Sequence, residues 1–598
     1  MTALNTAQAT DKNFPLRRRF ASAGEQPDLP VEGAETTPDA PTEFFVALSP
    51  LAAAAGVFTP PNLVGPGSAQ ALLAPQASRS YGVTGVGIKI GILSDSFNSR
   101  GGLGGDIANG SLGAAVKILK EGMASGSDEG RAMAELIHKI APGAAIDFYS
   151  GFYGAADMAA GVAALVKDGC NIIVDDITYL NEPFFQTGHG LQNAVSAAIK
   201  SGVSYFTSAS NAGRNFYEAD FTGVKASLPG IAGNYLVENF GTAAAPVTRQ
   251  SLTIGRGTTS TIDLQWDQPF VGIGGSKGAA NSLGMALYNS NNQIVSYATL
   301  NGVNRNPNQI LQFTNTTAST SFSLGIFSNC GTTTPGLFKY IVYGNGTTIN
   351  DSKAGKGSGT LIGHEQVGAA NVVGAVAYNT TSTFGGKNVV EAFSSVGPSS
   401  LLFDAAGNRL ATPGSSGGVD FVAPDGSATN VFNPFFGTSA AAPNAAAGAA
   451  LMLQANPLLT PAQVSAGLAA SALAAIGPVG STGAGLIQAT GAVKFALATL
   501  AKPAVTATAS LVISAAASGG AAIRSALDGT PTLRMADALG SLAADPTAPG
   551  DFYASIDPAI AAALPMPDLS IGAGVSALAM LNNANWDLPY LTNAPTVF

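Results

Sequence analysis

Charge is what this 598-residue sequence lacks most. Asp, Glu, Lys and Arg together make up 11% of it, against 46% hydrophobic residues. A disordered chain shows the reverse balance, so the composition calls for packed domains. The net charge of −9 and the absence of a basic patch exclude nucleic acid as an expected partner. Only two cysteines are present, Cys170 and Cys330, too few for a disulfide framework. Two buried thiols is the preferred reading, with a disulfide between them the alternative, since sequence does not supply their Cα separation. Histidines number three, and no run of them has metal-ligand spacing. No apolar run reaches the roughly 18–20 residues that span a bilayer. Near the start, Leu16-Arg17-Arg18-Arg19 is followed by acidic, Pro-rich sequence, so no amino-terminal signal peptide is legible.

What is abundant is glycine, at 73. With so little charge, it describes a loop-rich, tightly packed protein with a polar, uncharged surface. Residues 1–75 are Pro-, Ala- and Thr-rich and read as an irregular leader, a candidate pro-segment. From 76 to 236, short apolar runs of strand length alternate with helical patterns. Ile88–Leu93, Ala145–Tyr149, Asn171–Val174 and Val203–Ser208 are the strands; Asp128–Ile140, Met158–Lys167 and Leu191–Ser201 are the helices. That alternation implies an α/β fold, a parallel sheet with helices on both faces. From 237 to 351 the period becomes two, as in Thr261-Ile262-Asp263-Leu264-Gln265-Trp266, which reads as an inserted antiparallel β-sandwich. The α/β pattern resumes over 352–500. There Thr460 and Pro461 mark a helix start, as N-cap and first helical residue. Residues 501–598 form an Ala-, Pro- and Gly-rich region without a repeat.

The strongest chemical signal is Gly437-Thr438-Ser439-Ala440-Ala441-Ala442-Pro443, which opens a helix of small residues. A serine there has the positive end of the helix dipole and free N–H groups beside it, which favour an oxyanion. The alternative is a plain N-capping serine on a buried Ala helix. The run resembles the serine motif of the subtilase superfamily, which includes subtilisins and sedolisins. Further stretches resemble that family in chain order. Gly87–Ser96 is similar to the strand that ends in the catalytic aspartate, and Ser208–Gly213 to the turn carrying the oxyanion asparagine. Ala392–Pro398, Phe421–Gly426 and Gly483–Ile487 are similar to the segments that flank the serine helix. The resemblance spans about residues 80–236 and 352–497. It implies a subtilisin-like fold and a serine endopeptidase with Ser439 as nucleophile, Asp95 as the acidic partner and Asn211 in the oxyanion hole.

The sequence departs from subtilisins at the base. Where they carry histidine, aligning Gly130 and Ala141-Pro142-Gly143-Ala144 places Glu129. A glutamate base is the sedolisin solution, although the aspartate that sedolisins carry one turn later is here Met133. Asp95 is therefore expected to orient the glutamate. His138 lies nine residues after Glu129, about half a turn round the helix and roughly 13 Å along it, so both cannot face Ser439. A carboxylate can deprotonate serine if burial and a second carboxylate raise its pKa, which implies activity highest below neutral pH. Asp175 and Asp176 end a buried strand, where α/β folds present functional groups. They are candidates for shaping a substrate subsite, for binding a cation or for the acid network, or they cap the next loop. Asp128 is expected to cap the helix that follows it. Trp266 and Trp586 read as packing residues.

The expected partners are protein or peptide substrates, acting outside the cell or at its surface. The chemistry requires no cofactor, and no loop carries a dedicated calcium signature. No feature fixes an oligomeric state. A second class of function is a non-catalytic binding protein on a subtilase scaffold, which the missing histidine motivates. Retention of Ser439, Asn211, Asp95 and a carboxylate at the base position argues for the enzyme.

Overall fold

A computed structural model of the chain describes residues 45–47, 67–300, 302–329, 333–350 and 358–500. Cys330, Trp586, most of the leader and the whole region 501–598 lie outside the described residues.

The centre is a seven-stranded, all-parallel sheet. Five of its strands come from the first half of the chain. These are β2 (Lys89–Ser94), β3 (Val116–Lys120), β4 (Ala145–Ser150), β5 (Ile172–Asp175) and β7 (Ser204–Ser208). Asn371–Ala377 and Phe421–Asp425 complete it beyond β7, and β2 sits between β4 and β5. Strands covered on both faces need apolar side chains on both, and Ile172-Ile173-Val174 is buried throughout. One face packs on α4 (Glu129–Ile140) and α7 (Thr438–Ala455), through Ile90, Ile92, Ile172, Val174 and Phe206. The other packs on α5 (Ala155–Lys167) and α6 (Gly190–Lys200), through Leu93, Ile173 and Tyr205. Side chains alternate along a strand, so residue parity decides which helix layer each one meets.

Helix α7 can lie flat under the sheet because Thr438–Leu453 is buried and made mostly of small residues. After it, α8 (Pro461–Ser471) begins as expected: the Thr460 hydroxyl accepts from the Gln463 N–H at 3.3 Å, in a reciprocal capping box. The short helix α3 (Leu103–Ala108) lies between β2 and β3 in the chain, and helix α9 (Ala489–Leu500) closes the described chain.

Two boundaries differ from the sequence reading. Helices α1 (Ser68–Ala71) and α2 (Ala74–Tyr81) begin inside the segment read as irregular up to 75. They are ordered because Ala71, Leu72, Ala74 and Ala77 are buried in the core. The antiparallel module begins at Phe216–Asp220, not at 237. That strand pairs with Leu337–Tyr343, matching Tyr217 to Tyr340. Its short, partly charged sequence hides the period of two. The module consists of a four-stranded and a seven-stranded antiparallel sheet. Trp266 is fully buried in the core between them.

A short strand β6 (Ile177–Tyr179) follows β5 after a single residue. It pairs antiparallel with β1 (Phe45–Ala47), Val46 opposite Thr178. An extended segment of the chain's own leader thus lies along β6.

Candidate active site

The candidate residues converge where parallel strands end. Asp95 follows β2, Asp176 follows β5 and Asn211 lies beyond β7, while Glu129 and Ser439 stand in the first turns of α4 and α7. Carboxyl ends of strands and amino ends of helices are where an α/β sheet opens a crevice. Gly130 lets α4 approach the sheet, since a Cβ there would collide with the Phe148 ring and the Ser96 carbonyl. Gly437 is held at φ 118°, and a Cβ there would stand 3.2 Å from Asn211 Nδ2.

Asp95 is a hub for backbone. Its Oδ1 accepts from the Glu129 N–H at 3.0 Å and from the Ser96 N–H, and its Oδ2 from the Ser127 N–H and hydroxyl. It therefore fixes the turn into α4 through the main chain of Glu129. The carboxyl facing that of Glu129 is Asp176. Burial first, then the charges of Asp176 and Asp95, push the Glu129 carboxyl well above its usual range. Burial first, then Asp95, do the same to Asp176, against a hydroxyl contribution from Ser94. The two titrate as a pair. The Ser439 hydroxyl lies close enough to draw Glu129 toward its charged form. Yet Ser439 Oγ, Glu129 Oε1 and both Asp176 oxygens lack a hydrogen bond of good geometry. Such looseness is usual before substrate tightens a site.

Asn211 is oriented by its oxygen. Oδ1 accepts from the Thr438 N–H at 3.1 Å and the Thr438 hydroxyl at 3.0 Å. Among the described residues no group engages its Nδ2, which lies beside Gly437. The Ser439 N–H, in the first turn of α7, has no acceptor within the helix. Two donors thus stand ready beside the hydroxyl. The preceding residue, Ser210, holds φ 67°, a left-handed conformation of the kind that clusters at functional sites.

Two expectations need correction. Asp175 does not join Asp176 at the cleft. Val174 faces α4 and α7, so Asp176 does too, and Asp175 faces the opposite layer. There it accepts from the Thr207 hydroxyl at 2.9 Å and meets His364 Nε2 at 3.1 Å. Asp128 occupies the N-cap position at φ 64° but its carboxylate caps no helix N–H. It binds the Arg131 guanidinium at 3.0 Å instead. His138 packs toward Gly113, and burial lowers its pKa.

Sequence reasoning places Arg131 beside nearby carboxylates but misses Asp425. Arg131 is buried in a network with Asp106 and Asp128, and also donates to the Phe97 and Gly101 carbonyls. Asp425 ends its strand buried, and its Oδ2 accepts from the Gly437 N–H at 2.9 Å, two residues before Ser439. Asp425 reaches a backbone N–H twelve residues further on, across a loop, so no helix or strand period marks it. Cys170 is free and buried. Among the described residues no cluster of three or more His, Cys, Asp or Glu is placed to hold a metal ion, and no helix is long and apolar enough to cross a membrane.

A doubly covered parallel sheet with a serine at a helix amino terminus, a buried carboxyl beside it and two unengaged N–H donors is a layout suited to a serine nucleophile. The particular family follows from its motifs: the Peptidase S8 model, the subtilase family, matches residues 121–485, well over half of the chain. The chain belongs to the subtilase family and is a serine peptidase by that membership. The matched span includes Glu129, Asp176, Asn211 and Ser439 but begins after Asp95. No curated protein matches the chain. Among solved structures, a Clostridium perfringens protease, CspB, is 12% identical, with 72% of this chain and 99% of that one covered at a TM-score of 0.44. A lanthipeptide protease is 14% identical, covering 71% and 94%, at 0.33. A cold-adapted subtilisin-like serine proteinase is 14% identical, covering 68% and 88%, at 0.30. These likenesses are too distant to bear on function, and the assignment rests on the family match.

Proposed function

We propose that this chain is an endopeptidase working through a Ser439–Glu129–Asp176 site, with sedolisin-like use of glutamate as the base. The observation that carries the reading is the fully buried Glu129 carboxyl beside both the Ser439 hydroxyl and a second buried carboxyl. Glu129 starts ionised, with the pair's single proton on Asp176. Ser439 Oγ attacks the peptide carbonyl and passes its proton to Glu129. Asn211 Nδ2 and the Ser439 N–H hold the oxyanion, a contribution of about 3–4 kcal/mol per donor in such geometry. Glu129 then protonates the leaving amine, and water repeats the sequence on the acyl-enzyme. Asp95 positions Glu129 through its backbone. Sharing one proton requires that the pair not be fully ionised, so activity peaks below neutral pH.

Substrate lies along β6 as an antiparallel strand, the position that the leader segment Phe45–Ala47 takes. The substrates are proteins or peptides, the chemistry calls for no cofactor, and the acidic composition suits action outside the cell or at its surface. Labelling with a fluorophosphonate tests the nucleophile. The parent chain labels and Ser439→Ala does not; a parent chain that stays unlabelled contradicts the reading.

A further inference from the structure

Beyond β6 the chain continues as a strap, Leu180–Gln186, before turning into α6. When it returns from the antiparallel module, it forms one tight 3-10 turn, Gly363-His364-Glu365-Gln366, with all four residues buried. Each of the four reaches β5, β6 or the strap. His364 Nδ1 lies 2.8 Å from Glu182 Oε2, and its N–H donates to the same oxygen at 3.0 Å. His364 Nε2 meets Asp175, the neighbour of Asp176. Glu365 Oε1 accepts from the Thr178 hydroxyl, in the middle of β6, at 2.7 Å. Gln366 Nε2 donates to the Phe184 carbonyl at 2.9 Å. Gly363 sits at φ 53°, where a Cβ would collide with the Glu182 side chain.

The module grips the strap from its other side. Gln265 accepts from the Phe184 N–H and donates to the Glu182 carbonyl, both at 2.8 Å. Asn308 Nδ2 donates to the Leu180 carbonyl at 3.2 Å. Burying this many polar groups is expensive, and apolar packing would secure an ordinary loop at less cost. What a directional polar network adds is one defined geometry. The segment it defines runs without a break from Asp176 through the strand on which an extended chain pairs.

We propose that the turn Gly363–Gln366 is a positioning element for substrate, clamping β6 and its strap so that the strand edge is held ready for an extended peptide. The inference rests on the reading of β6 as the substrate edge. It gives the antiparallel module a role in substrate positioning: the module and the turn hold the strap between them, and the turn reaches β6 through Thr178 and β5 through Asp175. Neither His364 nor Glu365 touches substrate, so their effect falls on peptide binding.

The test compares Glu365→Leu, Thr178→Val and Glu365→Gln. An amide at 365 still accepts from the Ile362 N–H and donates to Thr178 Oγ1, so Glu365→Gln is the conservative rescue. KM and kcat are measured with an extended apolar peptide, and the rate of Ser439 labelling with a small fluorophosphonate that does not reach β6. Glu365→Leu and Thr178→Val are expected to raise KM about ten-fold and to leave kcat and labelling within about two-fold, with Glu365→Gln close to the parent. Unchanged KM overturns the inference, as does a parallel fall in kcat, labelling and peptide affinity. Should Glu365→Leu not fold, the isosteric Thr178→Val gives the same reading. A parent chain that neither cleaves nor labels contradicts the peptidase reading alone. The dissociation constant of the same peptide, by fluorescence anisotropy, then decides the positioning role, with the same ten-fold loss expected.

Discussion

Replacing Glu365 by glutamine isolates the free energy of one buried proton. Burial pushes the Glu365 carboxyl from its ordinary 4.5 to about 8, while His364, the Thr178 hydroxyl and the Ile362 N–H restrain the rise. A carboxyl whose folded pKa lies above its unfolded one stabilises the fold fully below about 4.5. That contribution is lost as pH rises toward about 8 and is constant beyond. Each pH unit in that window is worth about 1.4 kcal/mol, so the whole span amounts to about 3–5 kcal/mol once local relaxation is allowed for. Glutamine stays neutral at every pH and retains both hydrogen bonds. Glu365→Gln should therefore match the parent in urea unfolding near pH 4.5 and exceed it by about 3–5 kcal/mol near pH 8.5. Equal differences at the two pH values would refute the reasoning, because they would mean that Glu365 titrates normally in the folded protein.

Two further substitutions probe the support of the site. Arg131→Met leaves Asp106 and Asp128 facing one another without their buried cation, and denaturant unfolding should show a loss of about 3–5 kcal/mol. A loss below about 1 kcal/mol would show that the network is solvated. Asn211→Ala removes an oxyanion donor, so steady-state kinetics should show kcat reduced roughly 10²–10³-fold with KM little changed. A rise in KM alone would place Asn211 in substrate binding instead.

The central sheet was legible because its strands are short, nearly continuous apolar runs. Ile88–Leu93 and Asn171–Val174 stand close to β2 and β5, and the helix read over Asp128–Ile140 is α4, Glu129–Ile140. The start of the antiparallel module was not. Phe216–Asp220 carries no clear alternation, and its place is set by pairing with a strand more than a hundred residues on. Within the site, Ser439 and Glu129 are marked by local motifs, since the small residues around each are needed by the helix that presents it. Telling Asp176 from Asp175 required knowing which face of the sheet carries α4 and α7, a tertiary fact. The His364–Glu182 pair joins residues 182 positions apart, and no sequence spacing announces it. His364 also shows how environment decides charge. Burial alone would lower its pKa, but Asp175 and Glu182 hold it well above the usual histidine range. The same contact and that of His189 offset burial and hold Glu182 at about 2.

The most direct test is casein cleavage across about pH 3–9 by the purified chain, Ser439→Ala and Glu129→Gln, since a raised, proton-sharing base fixes both the optimum and its loss. The account predicts activity highest below neutral pH in the parent and none in either variant. A Glu129→Gln chain that still cuts at neutral pH, while Ser439→Ala does not, would contradict it, because the serine would then be served by another base.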